Sequence, residues 1–472
     1  MKKLSLFCLA IAPLFFALPP NPLNLNLSSI IGVLSSAWLF VFIVYFLTRN
    51  FILTTVFFWL FFSYGHLWIL LTTLFVGDYQ LCVNSFLPFI YVAFLIIFLK
   101  FFHKQPQQIT KKFIVINWLI LILAVLTFGY RSLSAKSLAN KYQTAQPDIY
   151  YLIFDEYART DVLKEQLDFD NSPFLNFLKS KGFYLPAKTH GNYPITYLSL
   201  SSSLNMDYLD NLLSNPYSNS RNRSEPYRLI NNSQARQFLT SKGYQYIDLS
   251  DGWQPLKNYH DDQNQAFIRN FAATTALNPL LTADLLAKFI PSFLRPPGTA
   301  ESILSRLNRL LEIPEISTAT FTFLHVKLPH HTPYHFDRYG QPIRSLNLPD
   351  KKLYLEQLLF ANQQIEAIVT AILAKSAIEP IIIIQGDTGS RFLKQQFIRS
   401  VEQLTSDQIR ERFGIFNAYY LPDGGDQYLY DSISPVNSFR IILNHYFNQN
   451  LPLLEDKSYF ATYKHPYQFS PL

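Results

Sequence analysis

The first 147 residues consist almost entirely of apolar runs separated by short polar or basic breaks. Five of these runs approach the roughly 17 to 25 residues that cross a bilayer as a helix. In chain order the predicted spans are 4–18, 29–47, 51–75, 86–102 and 113–130. The first follows Met1-Lys2-Lys3 and is equally typical of a cleaved signal peptide, because a charged start before an apolar core is common to both. The pattern predicts a transmembrane helical region, 1-147, of about five spans.

The distribution of Lys and Arg predicts the orientation of this region, since positively charged loops stay on the cytoplasmic side. The basic residues on one side are Lys2, Lys3, Arg49, Lys100, Lys104, Lys111 and Lys112. Asp78 and the exit after Tyr130 fall on the other side. Five spans, or four after cleavage of the first, both carry the chain outward. We therefore expect an integral protein of the cytoplasmic (inner) membrane whose C-terminal domain, 148-472, is extracytoplasmic or periplasmic.

Charge is divided unevenly between these two parts. The membrane part carries 10 Lys and Arg against one acid, whereas the outer part carries 30 against 32. The formal net charge of +7 therefore comes from the first third. The outer part has no basic stripe interleaved with aromatic residues, which argues against nucleic-acid binding. Cys8 and Cys82 are the only cysteines, so the outer domain has no disulfide and depends on its core.

From Pro147 onward, short β-branched or aromatic runs alternate with amphipathic helical stretches. This alternation is typical of an α/β domain with a mostly parallel sheet and helices on both faces. The predicted strands are 149–154, 244–249, 318–326, 380–384 and 415–421. Helices are predicted to start at Asn171-Ser172-Pro173, which supplies an N-cap and a first-turn proline, at Thr196 and near Pro349-Asp350.

Acidic and imidazole side chains follow three of the predicted strands. Asp155 follows the first, Asp387 follows the fourth, and His330 and His331 come after the third. Because ligands of open parallel sheets bind at the carboxyl ends of the strands, these groups are expected to converge at one edge. Each acid alone is equally typical of a helix N-cap. Thr196 lies at a predicted helix start. This position suits a nucleophile that attacks a phosphate or sulfate ester, and it equally suits an ordinary helix cap.

Several strings in the outer domain closely resemble the sulfatase-like branch of the alkaline phosphatase superfamily. The strings are PDIYYLIFDEYAR, NSPFLNFLKSKGFY, GNYPITYLSLSSSLNM, HVKLPHHTPYHFD, IIIIQGDTGSR and SPVNSFRIILNHYF. The resemblance spans about 148 to 450. With membrane spans ahead of the domain, the plan looks like the lipoteichoic acid synthases and lipid A phosphoethanolamine transferases. The resemblance implies an alkaline phosphatase or sulfatase-like fold.

The resemblance also implies roles for individual residues. Asp155 matches a ligand of a divalent metal, Thr196 matches a residue that is both nucleophile and metal ligand, and Asp387 matches the acid of an Asp-His metal pair. His330, with His331 next, matches a histidine that contacts the substrate anion. Arg391 and Arg159 each follow a candidate ligand by four residues and suit either a bound phosphate or sulfate or a loop salt bridge.

One position departs from the family pattern. The Asp-His-Gly of the family is Asp387-Thr388-Gly389 here, so a hydroxyl stands where an imidazole ligand is expected. A hydroxyl binds Zn²⁺ or Mn²⁺ less well than neutral histidine does. Three outcomes stay open: His331 or His335 fills the gap, an oxygen-only site favours Mg²⁺ or Mn²⁺, or metal and catalysis have been lost.

The sequence therefore predicts a membrane-anchored, metal-dependent hydrolase or phosphotransferase. Its divalent metal would be Mn, Zn or Mg, and its substrates would be phosphate or sulfate esters of envelope lipids or glycans at the lipid bilayer. No Cys/Ser-x-Pro-x-Arg string stands near Thr196. This favours a threonine nucleophile over the formylglycine of arylsulfatases. The alternative is a catalytically impaired module that binds an anionic envelope ligand or a partner through the same cleft.

Overall fold

The computed structural model describes residues 27–61, 146–216, 219–250, 299–330, 334–344, 350–393 and 400–472, with isolated positions between 111 and 126. The described residues belong to two compact units. The larger unit comprises Tyr142–Trp253 and Gly298–Leu472.

The smaller unit contains helix α1, Leu27–Thr48, in the region of the second predicted span. Residues 51–61 are also helical, and the Oδ1 of Asn50 accepts hydrogen bonds from the N–H groups of Ile52 and Leu53 at the start of this segment. None of the helices formed by the described residues is long and apolar enough to cross a membrane. The first and fourth predicted spans, the second half of the third and most of the fifth lie outside the described residues.

The larger unit is built on a five-stranded sheet in the order β2-β3-β1-β6-β7. Its strands are β1 Ile149–Phe154, β2 Gln245–Leu249, β3 Thr320–Val326, β6 Ile381–Gln385 and β7 Asn417–Tyr420. Strand β1 pairs in parallel with β3 and with β6, and β2 pairs in parallel with β3. The edge strand β7 is antiparallel to β6. The α/β prediction with a mostly parallel sheet is confirmed, and each strand end differs from the predicted one by two residues at most.

Two short hairpins complete the described strands. They are formed by β4 Tyr334–Phe336 with β5 Pro342–Arg344, and by β8 Tyr459–Phe460 with β9 Ser470–Pro471. The helices of this unit are α2 Thr160–Leu167, α3 Ser172–Ser180, α4 Thr196–Asn205, α5 Leu209–Leu212, α6 Ser224–Asn231, α7 Gln234–Ser241, α8 Thr299–Leu310, α9 Lys351–Lys375, α10 Ser406–Phe413 and α11 Pro435–Phe447.

Helices cover both faces of the sheet, as the strand pattern predicts. Because side chains alternate along a strand, successive residues of β1 belong to different cores. Tyr151 and Ile153 join the core formed with α4 and α11, where Tyr151 meets Phe439 with ring centroids 5.1 Å apart. Leu152 and Phe154 join the core formed with α3 and α9. The central strands are therefore buried on both faces, which explains their continuous apolar sequence.

Three predicted helix starts are found in the structure. Asp350 caps α9, since its Oδ1 accepts the N–H of Leu353 at 3.1 Å. Helix α3 begins at Ser172 as expected, with Asn171 in the N-cap position and proline in the first turn, but the Asn171 side chain makes no capping hydrogen bond. That side chain instead donates to the Tyr157 hydroxyl at 3.0 Å and accepts from Asn362 at 2.8 Å. Asn171 is buried, and these side-chain partners satisfy it in place of the helix end.

Candidate functional site

The candidate site lies at the carboxyl edge of the three central strands. Ile153 is in register with His325 of β3 on one side and with Gln385 of β6 on the other. Asp155 lies two residues beyond Ile153, and Asp387 lies two residues beyond Gln385. Side chains two residues apart in an extended chain point to the same face of the sheet. Since Ile153 faces α4, the same face of the sheet carries a histidine and two carboxylates towards the start of that helix.

Asp155 and Asp387 form a pair of buried carboxylates with 2% and 0% exposure. The Oδ1 of Asp387 accepts hydrogen bonds from the N–H groups of Glu156 at 3.1 Å and Thr388 at 2.8 Å. Burial, and then the charges of Asp387 and Glu156, raise the pKa of Asp155 well above its usual value. Burial also raises the pKa of Asp387. Two neighbouring anions out of water require either a proton or a bound cation.

Two imidazoles approach the same oxygen of Asp155. The Nε2 of His325 lies 3.7 Å from Asp155 Oδ2, and the Nε2 of His330 lies 3.5 Å from it. One ligand atom each from Asp155, His325 and Asp387 lie within 4.8 Å of one another, and the same holds for Asp155, Glu156 and His330. Burial, together with the nearby charge of Lys327, holds the pKa of His325 well below its usual value. His325 is therefore neutral near pH 7, which is the form that binds metals.

Thr196 is the first residue of α4 and faces the carboxylate pair. The nearby Thr196 hydroxyl lowers the pKa of the Asp387 carboxyl, against the larger effect of burial. The residue in the N-cap position is Ile195, in extended conformation, so the ordinary-cap interpretation of Thr196 does not describe this helix. The Ser199 hydroxyl donates to the Asp387 carbonyl at 2.8 Å and ties the helix to the loop after β6. Asp155, Thr196 and Asp387 are thus brought together.

Glu156, which the sequence did not single out, is fully buried beside the pair. Its φ of 60° is unusual for a residue other than glycine. Its Oε1 lies 2.6 Å from Arg391 Nε and 3.4 Å from Arg412 Nη1. Two guanidinium groups therefore neutralise Glu156. Neither Asp155 nor Asp387 forms an ion pair with an arginine among the described residues.

Arg412 joins the two loops that carry the candidate residues. Its Nε donates to the Pro194 carbonyl at 2.9 Å and its Nη1 donates to the Gly389 carbonyl at 2.6 Å. Burial lowers the pKa of Arg412 to about 10. The loop after Asp387 approaches the backbone of Glu411 so closely that position 389 must be glycine, because a Cβ there would lie 2.0 Å from the Glu411 carbonyl oxygen. One buried side chain therefore fixes the loop before Thr196 against the loop after Asp387.

The remaining predicted residues take other places. Arg391 is held by Glu156 and by the Tyr463 hydroxyl, to which it donates at 2.8 Å. Arg159 pairs with Asp161 at 2.6 Å, as the loop salt-bridge alternative predicts. The hydroxyl of Thr388 is buried and has no hydrogen-bond partner in the described part of the chain. His331 and the side chain of His335 lie outside the described residues.

The donor set suits a divalent metal ion. The Oδ1 of Asp155 is buried without a hydrogen-bond partner among the described residues. An ion bound between Asp155 and Asp387 would satisfy this oxygen and remove the repulsion within the pair. Two carboxylates and a neutral imidazole are ligands that Zn²⁺ and Mn²⁺ accept. The residues present therefore fit the metal that the family resemblance implies.

Comparison with known proteins gives structural neighbours alone, since neither a family model nor a curated protein matches the sequence. The zinc complex of the periplasmic domain of EcEptC from Escherichia coli is 11% identical, with TM-score 0.43, covering 69% of this chain and 93% of that one. A proposed sulfatase from Bacteroides fragilis is 13% identical, with TM-score 0.41 and coverages of 69% and 84%. The integral membrane lipooligosaccharide phosphoethanolamine transferase A from Neisseria meningitidis is 10% identical, with TM-score 0.38 and coverages of 77% and 67%.

These neighbours are phosphoethanolamine transferases and sulfatases, which belong to the alkaline phosphatase superfamily that the sequence strings resemble. At identities of 10 to 13% and TM-scores below 0.5, they say nothing about the substrate of this chain.

Proposed function

We propose that the chain is a metal-dependent hydrolase or phosphotransferase that acts on phosphate or sulfate esters of envelope lipids or glycans, with Thr196 as the nucleophile. One observation carries this proposal: Thr196 is the first residue of a helix, and its hydroxyl is near enough to Asp387, the neighbour of Asp155, to lower the pKa of that carboxyl. A nucleophilic hydroxyl, a metal-competent pair of carboxylates and free helix N–H groups are the parts that ester transfer to a threonine requires.

Asp155 and Asp387 would hold the metal, with the Thr196 oxygen beside them. A bound divalent ion supplies positive charge that lowers the pKa of a hydroxyl and favours an anionic ester. The Thr196 Oγ1 forms a bond to phosphorus or sulfur as the bond to the leaving oxygen breaks. The hydroxyl proton passes to water, and the leaving oxygen takes up a proton from water. Water or a second hydroxyl then displaces the group from Thr196, giving hydrolysis or transfer.

The start of α4 supports the same role electrostatically. N–H groups at a helix N-terminus favour the oxygens of an anionic ester, and α4 is long enough to provide them. His330, whose Nε2 lies 3.5 Å from Asp155 Oδ2 and which is only 8% exposed, would donate to the same anion. The membrane anchor predicted in 1-147 would keep the domain next to lipid-linked substrates.

A second candidate function is the non-catalytic module that binds an anionic ligand. Position 388 favours it, since a hydroxyl stands where the family pattern has an imidazole ligand, and that hydroxyl is buried without a hydrogen-bond partner among the described residues. This candidate predicts that an anionic ligand binds without turnover and that Thr196 is dispensable.

The deciding experiment measures hydrolysis of p-nitrophenyl phosphate, bis-p-nitrophenyl phosphate and p-nitrophenyl sulfate by the full chain with Zn²⁺, Mn²⁺ or Mg²⁺. Thr196→Ala is expected to lower turnover about 10³-fold or more and to abolish any acid-stable mass adduct on the protein. Thr240→Ala, in helix α7 away from the site, is the matched control and should behave as the wild type. Turnover retained in Thr196→Ala would remove Thr196 from the mechanism. No turnover by the wild type with any of the three metals would favour the binding module.

A further inference from the structure

Position 388 provides no nitrogen ligand to the candidate metal site, and β3 offers one. We propose that His325 supplies this ligand, so that the site is formed by Asp155, Asp387 and His325 in place of an Asp-His pair on one loop. This inference rests on the proposed function, because it presupposes that a metal binds here.

The sheet register places His325 for this role. His325 is level with Ile153 and Gln385 across three neighbouring strands, and the two carboxylates follow one step further on the same face. A side chain at this position reaches the carboxylates by leaning along the strand direction, as side chains in strands do. The position is fixed by the β1–β3 hydrogen-bond ladder and by the N–H of Asp155, which donates to Val326 O at 3.0 Å.

The distances are close to those of a formed site. Two ligand atoms that share a tetrahedral Zn²⁺ at about 2.0 to 2.1 Å are separated by about 3.4 Å. The Nε2 of His325 and the Oδ2 of Asp155 are 3.7 Å apart. Closing this gap requires a movement of a few tenths of an ångström. The candidate ligand atoms of the three residues all lie within 4.8 Å of one another, so small side-chain rotations bring them around one ion.

The competing cluster of Asp155, Glu156 and His330 is less suited to a metal. The Glu156 carboxylate is already bound by Arg391 at 2.6 Å and lies 3.4 Å from Arg412. A cation at Glu156 would have to displace or face two buried guanidinium groups, which is costly in a low-dielectric site. Asp387 carries no such ion pair in the described structure, and it receives neutral hydrogen bonds from two backbone N–H groups.

The identity of the nitrogen ligand sets the choice of metal. A site with an imidazole prefers Zn²⁺ or Mn²⁺ over Mg²⁺, whereas a site made of oxygen ligands alone does not. With His325 as a ligand, Thr388 is a buried neighbour of the site and contributes no bond to the metal. The two arrangements therefore predict opposite effects of substitution at 325 and at 388.

The experiment titrates Zn²⁺ and Mg²⁺ separately into the metal-free full chain by calorimetry. His325→Gln is compared with Thr388→Val, which removes the hydroxyl at nearly constant shape. His445→Gln, on the exposed part of α11, controls for loss of any histidine. Asp387→Ala controls for loss of the whole site. Circular dichroism of the metal-free forms checks that each variant is folded.

We expect the wild type to bind Zn²⁺, and His325→Gln to lower Zn²⁺ affinity about 100-fold or more, beyond the effect of losing an outer partner. Mg²⁺ affinity should change much less, and a merely structural role of His325 would not produce this selectivity. Thr388→Val and His445→Gln should bind Zn²⁺ as the wild type does. If His325→Gln does not fold, electron paramagnetic resonance of the Cu²⁺-loaded protein takes the place of the titration. Nitrogen hyperfine splitting that is present in the wild type and persists in His330→Gln supports the proposal.

Three results would overturn the inference. If His325→Gln binds Zn²⁺ normally while Asp387→Ala does not, His325 is not a ligand and the proposed function stands. If Thr388→Val loses Zn²⁺ and His325→Gln retains it, the site uses oxygen ligands. If the wild type itself binds neither ion, the proposed function fails and this inference fails with it.

Discussion

The Ser199 hydroxyl donates a 2.8 Å hydrogen bond to the main-chain carbonyl of Asp387, although the two residues are 188 positions apart in sequence. Ser199 lies one turn into α4, so this bond fixes the start of that helix, and with it Thr196, against the loop that follows β6. The candidate nucleophile and the candidate metal ligand are therefore positioned by one side chain that contacts neither substrate nor metal.

Ser199→Ala tests this positioning role. We expect the free energy of unfolding to fall by about 1 kcal/mol, since one buried acceptor loses its donor. Turnover should fall by about tenfold, because small displacements of reacting groups are costly, while Zn²⁺ affinity stays within about twofold. The control is Ser241→Ala, which removes a local bond to Phe238 at the exposed end of α7. Equal turnover in the two variants would contradict the role of Ser199.

Gly389 allows the second loop to approach α10, and its replacement by alanine should prevent this. A Cβ there would lie 2.0 Å from the Glu411 carbonyl oxygen and 3.0 Å from that of Gly414, both of which are backbone atoms that cannot rotate away. We expect Gly389→Ala to lose several kcal/mol of stability or to fail to fold. Gly191→Ala meets its nearest neighbour at 3.5 Å and should be tolerated. Thermal unfolding of the two variants measures the difference.

The sequence predicts the sheet edge well because local signals define it. Strand β1 has the predicted bounds since a continuous apolar run ends at an acid, and the same reasoning places Asp387 after β6. The orientation of β7 was not predicted, because an apolar run carries no information about strand direction. The helix start at Ser172 was predicted, but the partners of the Asn171 side chain were not, because tertiary hydrogen bonds to Tyr157 and Asn362 take the place of a local capping bond.

The residues that complete the site depend on contacts between distant segments. His325 stands within a quoted family string, and period-2 alternation places it near the end of β3, but its meeting with Asp155 requires knowing that β3 is the neighbour of β1. Arg412 reaches Pro194 and Gly389 from a helix whose sequence shows no special feature. Pairings of this kind are set by packing, and a single sequence does not reveal them.

Arg412→Met should destabilise the domain strongly. The substitution leaves the Pro194 and Gly389 carbonyls without their donor and removes one of the two cations beside buried Glu156. Removing one partner of a buried ion pair costs about 3 to 5 kcal/mol. Arg338→Met, which breaks an exposed pair with Glu356, should cost about 0 to 1 kcal/mol. Chemical denaturation of both variants gives the comparison, and equal losses would show that the Arg412 network contributes little.

Asp387→Asn should stabilise the metal-free protein at neutral pH while abolishing metal binding. Burial raises the pKa of Asp387 above the unfolded value near 3.8, so the folded state favours the protonated form. Stability from this group is present below that value and is lost as pH rises through the folded pKa. Asparagine keeps a neutral side chain at all pH values. At pH 8 the free energy of unfolding of Asp387→Asn should exceed that of the wild type by about 1.4 kcal/mol for each unit by which the pKa of Asp387 is raised, and this difference should shrink towards pH 4.

Unfolding of the metal-free wild type and of Asp387→Asn at several pH values measures this gain, and thermal shift with Zn²⁺ measures the lost binding. Asp431→Asn is the control, since Asp431 is an exposed loop carboxylate that accepts from the Ala187 N–H at 3.3 Å. A destabilised Asp387→Asn at pH 8 would mean that the carboxylate pair does not repel itself in the metal-free fold.

Metal affinity should increase with pH because a proton on the carboxylate pair competes with the ion. Burial and the charge of Asp387 raise the pKa of Asp155, so below that pKa the metal must displace a proton, and affinity should rise about tenfold per pH unit for each proton displaced. Burial lowers the pKa of His325, so protonation of this imidazole competes less with the metal than it would at an exposed histidine. Zn²⁺ titrations in buffers of different ionisation enthalpy report the protons released. Asp155→Asn should weaken binding and flatten the dependence, whereas a slope that persists unchanged in this variant would place the competing proton elsewhere.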